Sequence, residues 1–179
     1  SYNGWKKQVY SAVDARDHAS WRFELTLYPK LRLLRTIVTE RSTVCWWSLA
    51  KSLPYLKKPC VSMVRLVCGT SVLALFRSVD IPSEQRVCKM CLSGEIEDLK
   101  HFILRCQCFA FSRKYLLEGI RNELSEGGLE VWDNLGEDIQ TFIIVGLDFP
   151  FSQNDKFLIW KIACINVHKM YTQRVALDI

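Results

Sequence analysis

The sequence predicts a mainly α, multi-helix domain with a small Cys-Cys-His-Cys knuckle inserted between helical segments. Two observations carry this prediction. Apolar residues recur at helical spacing along most of the chain, punctuated by Pro and Gly. Near the middle, Cys88-Lys-Met-Cys91 is followed by His101 and Cys106, a C-x2-C-x9-H-x4-C pattern. Three units are expected: a basic helical lobe over 1–82, the knuckle over 83–109 and an acidic helical lobe over 110–179, packed together as one body.

The elements follow in order. Asn3 is placed to cap a first helix in which Trp5, Val9, Ala12 and Val13 share a face, continuing through Trp21, Phe23 and Leu27. Pro29 marks a boundary or a new first turn. Leu31, Leu33, Leu34, Ile37 and Val38 make a second short apolar segment, and Ser42 or Thr43 can cap a third helix that carries Trp46, Trp47 and Leu49 and ends before Pro54. From Pro59, the residues Cys60, Met63, Val64, Val67 and Cys68 keep helical spacing up to Gly69-Thr-Ser71, and Val72 to Phe76 starts another helix. Leu116, Leu117, Ile120 and Leu124 predict an amphipathic helix stopping at Gly127-Gly128. Trp132 and Phe142 to Val145 supply a further buried segment. A last helix, about Asn154 to Arg174, is apolar on most of its circumference, with a solvent-facing stripe through Lys161, His168, Lys169 and Thr172.

The knuckle pattern supplies three thiols and one imidazole, the soft tetrahedral set that suits a closed structural zinc site. Cys88 and Cys91 can present both sulfurs from one tight turn, and Gly94 permits the reversal that leads away from it. Glu95, Glu97 and Asp98 place negative charge where a helix N-terminus favours it, and Leu99, Phe102 and Ile103 fall on one helical face. His101 then points at the metal from that helix and Cys106 reaches it from the helix end. Cys108 competes for the fourth position, nearer the start of the next helix. The plainer alternative, a disulfide framework, suits short secreted chains, whereas 179 residues can bury their own core. Cys45, Cys60, Cys68 and Cys164 sit in apolar stretches and read as core, and His18 and His168 read as surface or satisfied histidines.

Charge is polarised along the chain. Residues 1–114 carry 19 Lys and Arg against 9 Asp and Glu, a net +10, while residues 115–179 carry 5 against 10, a net −5. A basic portion that holds the metal motif points to an anionic partner, nucleic acid first among them, although solvated helix faces would give the same count. Arg86, Lys89, Lys100, Arg105, Arg113 and Lys114 surround the ligands as candidate phosphate contacts, with Met90, Leu92 or Phe102 as an apolar platform for an unstacked base. Phe102 shares the core-facing side of Leu99 and Ile103. Lys57 and Lys58, with Lys51, Trp46 and Trp47, form a second basic and aromatic cluster in which one Trp packs inward and the other faces out. No apolar run reaches the ~18 residues needed to span a bilayer, since Lys161 and Asn166 interrupt the stretch from Phe157 to Val167. No membrane and no small-molecule substrate is expected. Free thiols point to a reducing compartment, nucleus or cytoplasm, and Ser1 in place of Met points to a longer parent polypeptide.

Three segments together resemble a known family. Val64-Arg-Leu-Val-Cys-Gly-Thr-Ser71, Val87-Cys-Lys-Met-Cys91 and Glu97-Asp-Leu-Lys-His-Phe-Ile-Leu-Arg-Cys106 resemble the C-terminal zinc-knuckle region of non-LTR retrotransposon polyproteins, in the same order. The segment Asn166-Val-His-Lys-Met-Tyr-Thr-Gln-Arg174 resembles the closing segment of some members. The family's "L-T-G-T" has Cys68 for its first Thr, Lys89 stands where Pro is frequent, and Leu92-Ser93 precede the glycine, but no ligand is lost. The resemblance implies binding of element RNA or target DNA during target-primed reverse transcription, with the reverse transcriptase portion of the same polyprotein as a further partner. The chain carries no polymerase signature and no apurinic-type endonuclease block. Phe149-Pro150-Phe151 and Asn154-Asp155-Lys156 lack the spacing of a restriction-like nuclease, so a non-enzymatic module is expected. A domesticated fragment in which zinc clamps a protein-interaction scaffold is the alternative.

Overall fold

The periodic apolar pattern is realised as helices in a computed structural model that describes residues 2–38, 45–73, 82 and 85–177. These are α1 (Tyr2–Leu27), α2 (Arg32–Ile37), α3 (Cys45–Ser52), α4 (Lys57–Val67), α5 (Ala110–Glu123), α6 (Glu126–Asp133), α7 (Glu137–Ile144) and α8 (Gln153–Ala176). The chain is mainly α; among the described residues the sole β feature is an antiparallel bridge between Val87 and Ile96. Pro29 and Pro54 each open a 3-10 turn, Pro29–Leu31 and Pro54–Leu56, that runs directly into α2 and α4. Their fixed φ suits a first turn, where the missing N–H has no partner to lose.

α8 is the axis of the fold. It packs against α5 and α4 and touches α3 and α7, burying Ile159, Ala163, Cys164, Val167, Met170 and Tyr171. α4 buries Cys60, Met63, Leu66 and Val67, and α5 buries Leu116 and Ile120. In α3, Trp46 is 1% exposed and its neighbour Trp47 is 53% exposed, as adjacent helical positions require. α1 packs on α2 and the Pro29 turn and reaches the core near its C-terminal end with Leu25 and Trp21, while Trp5, Val9 and Val13 remain in solvent although they share a face.

Several expectations need correction. α1 begins at Tyr2, so Asn3 lies inside it. The proposed caps Ser42 and Thr43 lie outside the described residues, as do residues 74–76 of the helix expected from Val72. Val72 and Leu73 themselves form a bend. The α5 helix ends at Glu123, and Gly127-Gly128 belong to the first turn of α6. The cause is Ser125, whose Oγ accepts from Gly128 N and donates to Asp155, fixing a new helix start. A side chain at Gly128 would place its Cβ 2.9 Å from Asp155 Oδ2, so glycine serves close approach there and not a stop. On α8, His168 is half-buried rather than solvent-facing, sharing a 2.8 Å hydrogen bond between Nδ1 and Ser62 Oγ, and Lys161 is half-buried too. Burial, with Lys58 nearby, holds the His168 imidazole below its ordinary pKa and therefore neutral. Cys45 and Cys68 lie at the core margin, whereas Cys60 and Cys164 are buried with their sulfurs 3.9 Å apart across the α4–α8 contact.

Candidate metal centre

The metal motif folds as a short hairpin followed by one helical turn. Cys88 N donates to Glu95 O at 2.8 Å and Glu97 N donates to Arg86 O at 2.9 Å, so residues 86–88 and 95–97 run antiparallel around the Cys88–Cys91 turn. Leu92 and Gly94 take the left-handed backbone that closes it, at φ 55° and 76°. Leu92 bears a side chain there, which is uncommon, and that side chain is 84% exposed.

Of the acids expected at the helix start, only Asp98 caps it: its Oδ1 accepts from His101 N at 2.7 Å. Glu95 and Glu97 belong to the second arm of the hairpin. The turn they lead into is a π turn, His101–Arg105, in which Cys106 N donates to His101 O at 2.7 Å. Residues five apart on an α-helix point about 140° apart, whereas i→i+5 bonding stacks them on one side. The widened turn is therefore what lets His101 and Cys106 face a common point.

Cys88, Cys91, His101 and Cys106 converge there, with all four ligand atoms within 4.8 Å of one another. Cys88 Sγ lies 3.8 Å from Cys106 Sγ and Cys91 Sγ 3.3 Å from His101 Nε2. Cys88, His101 and Cys106 are buried and Cys91 is half-buried. The imidazole is oriented by Glu95, whose Oε2 lies 2.8 Å from His101 Nδ1; this leaves Nε2 for the shared point and matches the carboxylate–histidine pairing seen behind metal-ligating histidines. His101 in turn holds the Glu95 carboxyl below its usual range. Three sulfurs and a nitrogen so arranged can hold a metal ion.

Electrostatics favour a cation at this point. Burial raises the Cys88 thiol, and burial together with the neighbouring Cys88 raises Cys106. Burial works on Cys91 in the same direction but is outweighed by hydrogen bonds from Ser93 and from the two other thiols, which bring it down to about 6. Cys88 and Cys106 are thus held as thiols, and all three sulfurs would ionise together only around a positive charge.

Cys108, the competing ligand, is exposed and donates its thiol proton to Met90 O at 3.1 Å, outside the cluster. Phe102 is fully buried against Phe109 and is unavailable to a base, Met90 packs half-buried against the core, and Leu92 faces solvent. The basic residues divide. Lys57, Lys58, Lys89 and Lys114 are exposed. Lys100 pairs with Asp138 at 2.8 Å and Arg105 with Glu137 at 2.7 Å, both acids on α7. Arg113, half-buried, donates to Cys106 O at 2.8 Å, and Arg86 is half-buried.

Sequence reasoning missed two partners. Glu95 was visible only as a charge before a helix, and its contact with His101 follows from the hairpin register. Glu97 is 1% exposed and forms a two-pronged ion pair with Arg174 of α8, 2.5 Å for Nε–Oε1 and 3.1 Å for Nη2–Oε2. No local signal marks that pair. Among the described residues no helix is long and apolar enough to cross a membrane. No protein-family model matches the sequence, and neither the curated proteins nor the solved structures contain a significant match to it.

Proposed function

We propose that the chain is a non-catalytic, zinc-stabilised nucleic-acid-binding module, similar in role to the tail of a non-LTR retrotransposon protein that binds element RNA or target DNA. The observation that supports it most is the four-ligand cluster with Glu95 behind His101. Ligands about 2.3 Å (sulfur) and about 2.0 Å (nitrogen) from a tetrahedral zinc lie about 3.8 Å apart for two sulfurs and about 3.5 Å for a sulfur and a nitrogen. The two shortest spacings, 3.8 Å and 3.3 Å, match that shape, and all four ligand atoms lie within 4.8 Å of one another. Cys88, Cys91, His101 and Cys106 would hold the ion, which supplies folding energy and, with every position taken by protein, no reactive water.

The exposed Lys89 of the knuckle turn and the exposed Lys57 and Lys58 of α4 support a phosphate-bearing partner, nuclear or cytoplasmic, and the resemblance of the knuckle segments supports the retrotransposon reading. Elemental analysis is expected to give about one zinc per chain, as the four-ligand set requires. Binding to labelled RNA and DNA should weaken steeply with salt, because phosphate contacts release counterions. Replacing Lys57, Lys58 and Lys89 by Gln should flatten that dependence with zinc retained, whereas replacing Lys161 and Lys169 on α8 should leave it nearly unchanged. Salt-independent or absent binding would turn the assignment to a zinc-clamped protein-interaction scaffold. The ion pairs that occupy Lys100 and Arg105 favour that second reading, since they neutralise two cations beside the knuckle.

A further inference from the structure

The packing of the domain leaves one surface beside the knuckle unexplained. The Cys108 bond to the Met90 carbonyl ties the Cys88–Cys91 turn to the entry of α5. Phe111 and Tyr115 stand one turn apart (i, i+4) at the start of that helix, three and seven residues beyond Cys108. Both are large apolar rings left in water: Phe111 is 72% exposed and Tyr115 is 55% exposed. They meet edge to face, 4.9 Å between centroids and 77° between planes. In such a pair the ring that contributes its edge keeps both faces outside the contact, and the contact, modest in energy, biases both rings toward this arrangement. Such a bias lowers the entropy cost of stacking something on them.

Charges of both signs flank the rings, Lys114 and Glu118 on the helix and Lys89 on the knuckle turn, so the cations available to a phosphate are the two lysines. Lys114, next to Tyr115, has a 66% exposed side chain and only a long 3.8 Å i,i+4 contact with Glu118, an exposed pair worth little. Lys89 is exposed on the knuckle turn, adjacent to Met90. A ring can stack only on a base whose face is open, which a duplex interior denies, and each nucleotide of a single strand brings a π-face and a phosphate together. A protein partner would cover the rings but would need acids placed opposite both lysines.

We propose that Phe111 and Tyr115 form a stacking platform for unpaired bases of a single-stranded nucleic acid, with Lys89 and Lys114 holding the flanking phosphates. This rests on the nucleic-acid reading above and narrows it to strands with unpaired bases.

The test uses the full chain with fluorescently labelled oligo-dT, oligo-rU and a duplex of equal length, titrated at several salt concentrations. Phe111→Ala/Tyr115→Ala should weaken both single strands about ten-fold or more, the loss expected for one or two stacked bases, with duplex affinity, salt slope and zinc content unchanged. Phe111→Trp should retain binding, because any flat ring serves. Lys89→Gln/Lys114→Gln should keep the preference for single strands but reduce the salt slope by about 1.4, two contacts at about 0.7 each. Comparing oligo-dT with oligo-rU separates a DNA from an RNA strand. Unchanged single-strand affinity in the double alanine variant, while the lysine variants still lose binding, overturns the platform and leaves the nucleic-acid reading standing. A wild-type chain that binds no oligonucleotide overturns both. Loss of self-association in the alanine variant with strand binding intact would make the rings a protein contact and overturn the proposal.

Discussion

Glu97→Gln should be among the most destabilising single changes in this chain. The knuckle hairpin and the end of α8 are joined by a carboxylate and a guanidinium that are 1% and 3% exposed. Two hydrogen bonds align the charges, at 2.5 and 3.1 Å. Proximity to Glu97 holds the Arg174 pKa above its ordinary value against the opposing effect of burial. Gln is nearly isosteric and keeps an acceptor, so packing survives while the buried guanidinium loses the carboxylate charge that both of these bonds supply. Breaking a buried pair in this way costs about 3–5 kcal/mol. For a domain of this size each kcal/mol lowers the melting temperature by about 2–4 °C, which predicts a drop on the order of 10 °C.

The double variant Glu97→Met/Arg174→Met removes both charges and fills similar volume, and it should recover much of the loss, since apolar replacement of a whole buried pair is often neutral. Urea titration of the wild type, the two single Met variants and the double variant gives the coupling energy directly. A loss below about 1 kcal/mol for Glu97→Gln, or a double variant as unstable as the sum of the singles, would refute the claim that this pair fastens the knuckle to α8.

Three further outcomes follow from the same geometry. Cys91→Ser should lose bound metal and disorder the hairpin and π turn, whereas His168→Ala, which removes only the Ser62 contact, should shift the melting temperature little; metal content and melting curves check both. Glu95→Ala should leave the fold intact but weaken metal affinity by about 10–100-fold in a chelator competition, as loss of a carboxylate behind a ligating histidine does elsewhere. Burial favours the neutral form of Asp155, but bonds from Ser125 N, Ser125 Oγ and Ser152 Oγ outweigh it and hold the carboxyl below its ordinary value. A depressed folded pKa means that its stabilisation is complete above the unfolded value of about 3.9 and is lost as pH falls below that. Asp155→Asn should therefore be less stable at neutral pH and flatter in its acid dependence, read from urea midpoints across pH.

The parts of this structure that were legible in the sequence depend on near neighbours. Cys88, Cys91, His101 and Cys106 declare themselves by spacing, because one hairpin and one turn suffice to bring them together. Trp46 and Trp47 were predicted to part because adjacent helical positions must. What was hidden depends on register or on distant pairing. Glu95 meets His101 only because Cys88 pairs with Glu95 across the hairpin, and a one-residue slip would turn it away. Cys60 finds Cys164 only when α4 docks on α8. Gly127-Gly128 look like a helix stop because glycine ends many helices, but here Ser125 starts one, and Asp155 from α8 fills the space a side chain would need.

The charge polarity visible along the chain is partly spent inside it, and that bounds how the surface can meet a strand. Lys100 and Arg105 are tied to Asp138 and Glu137 on α7, yet those acids are 71% and 49% exposed in their side chains. Such pairs contribute little in water, so a phosphate can replace the carboxylate at small cost. Arg113 and Arg174 cannot exchange in that way, because their partners, the Cys106 carbonyl and Glu97, belong to the metal hairpin and its anchor. For a strand bound as proposed, Lys57, Lys58, Lys89 and Lys114 would offer direct contacts and Lys100 and Arg105 contacts by exchange. A strand held by the first four alone would show a log–log salt slope near −2.8, and one that also draws off the α7 acids would approach −4.2, at about 0.7 per phosphate. Glu137→Gln/Asp138→Asn frees both cations in advance, so it should strengthen binding if they exchange and leave it unchanged if they do not.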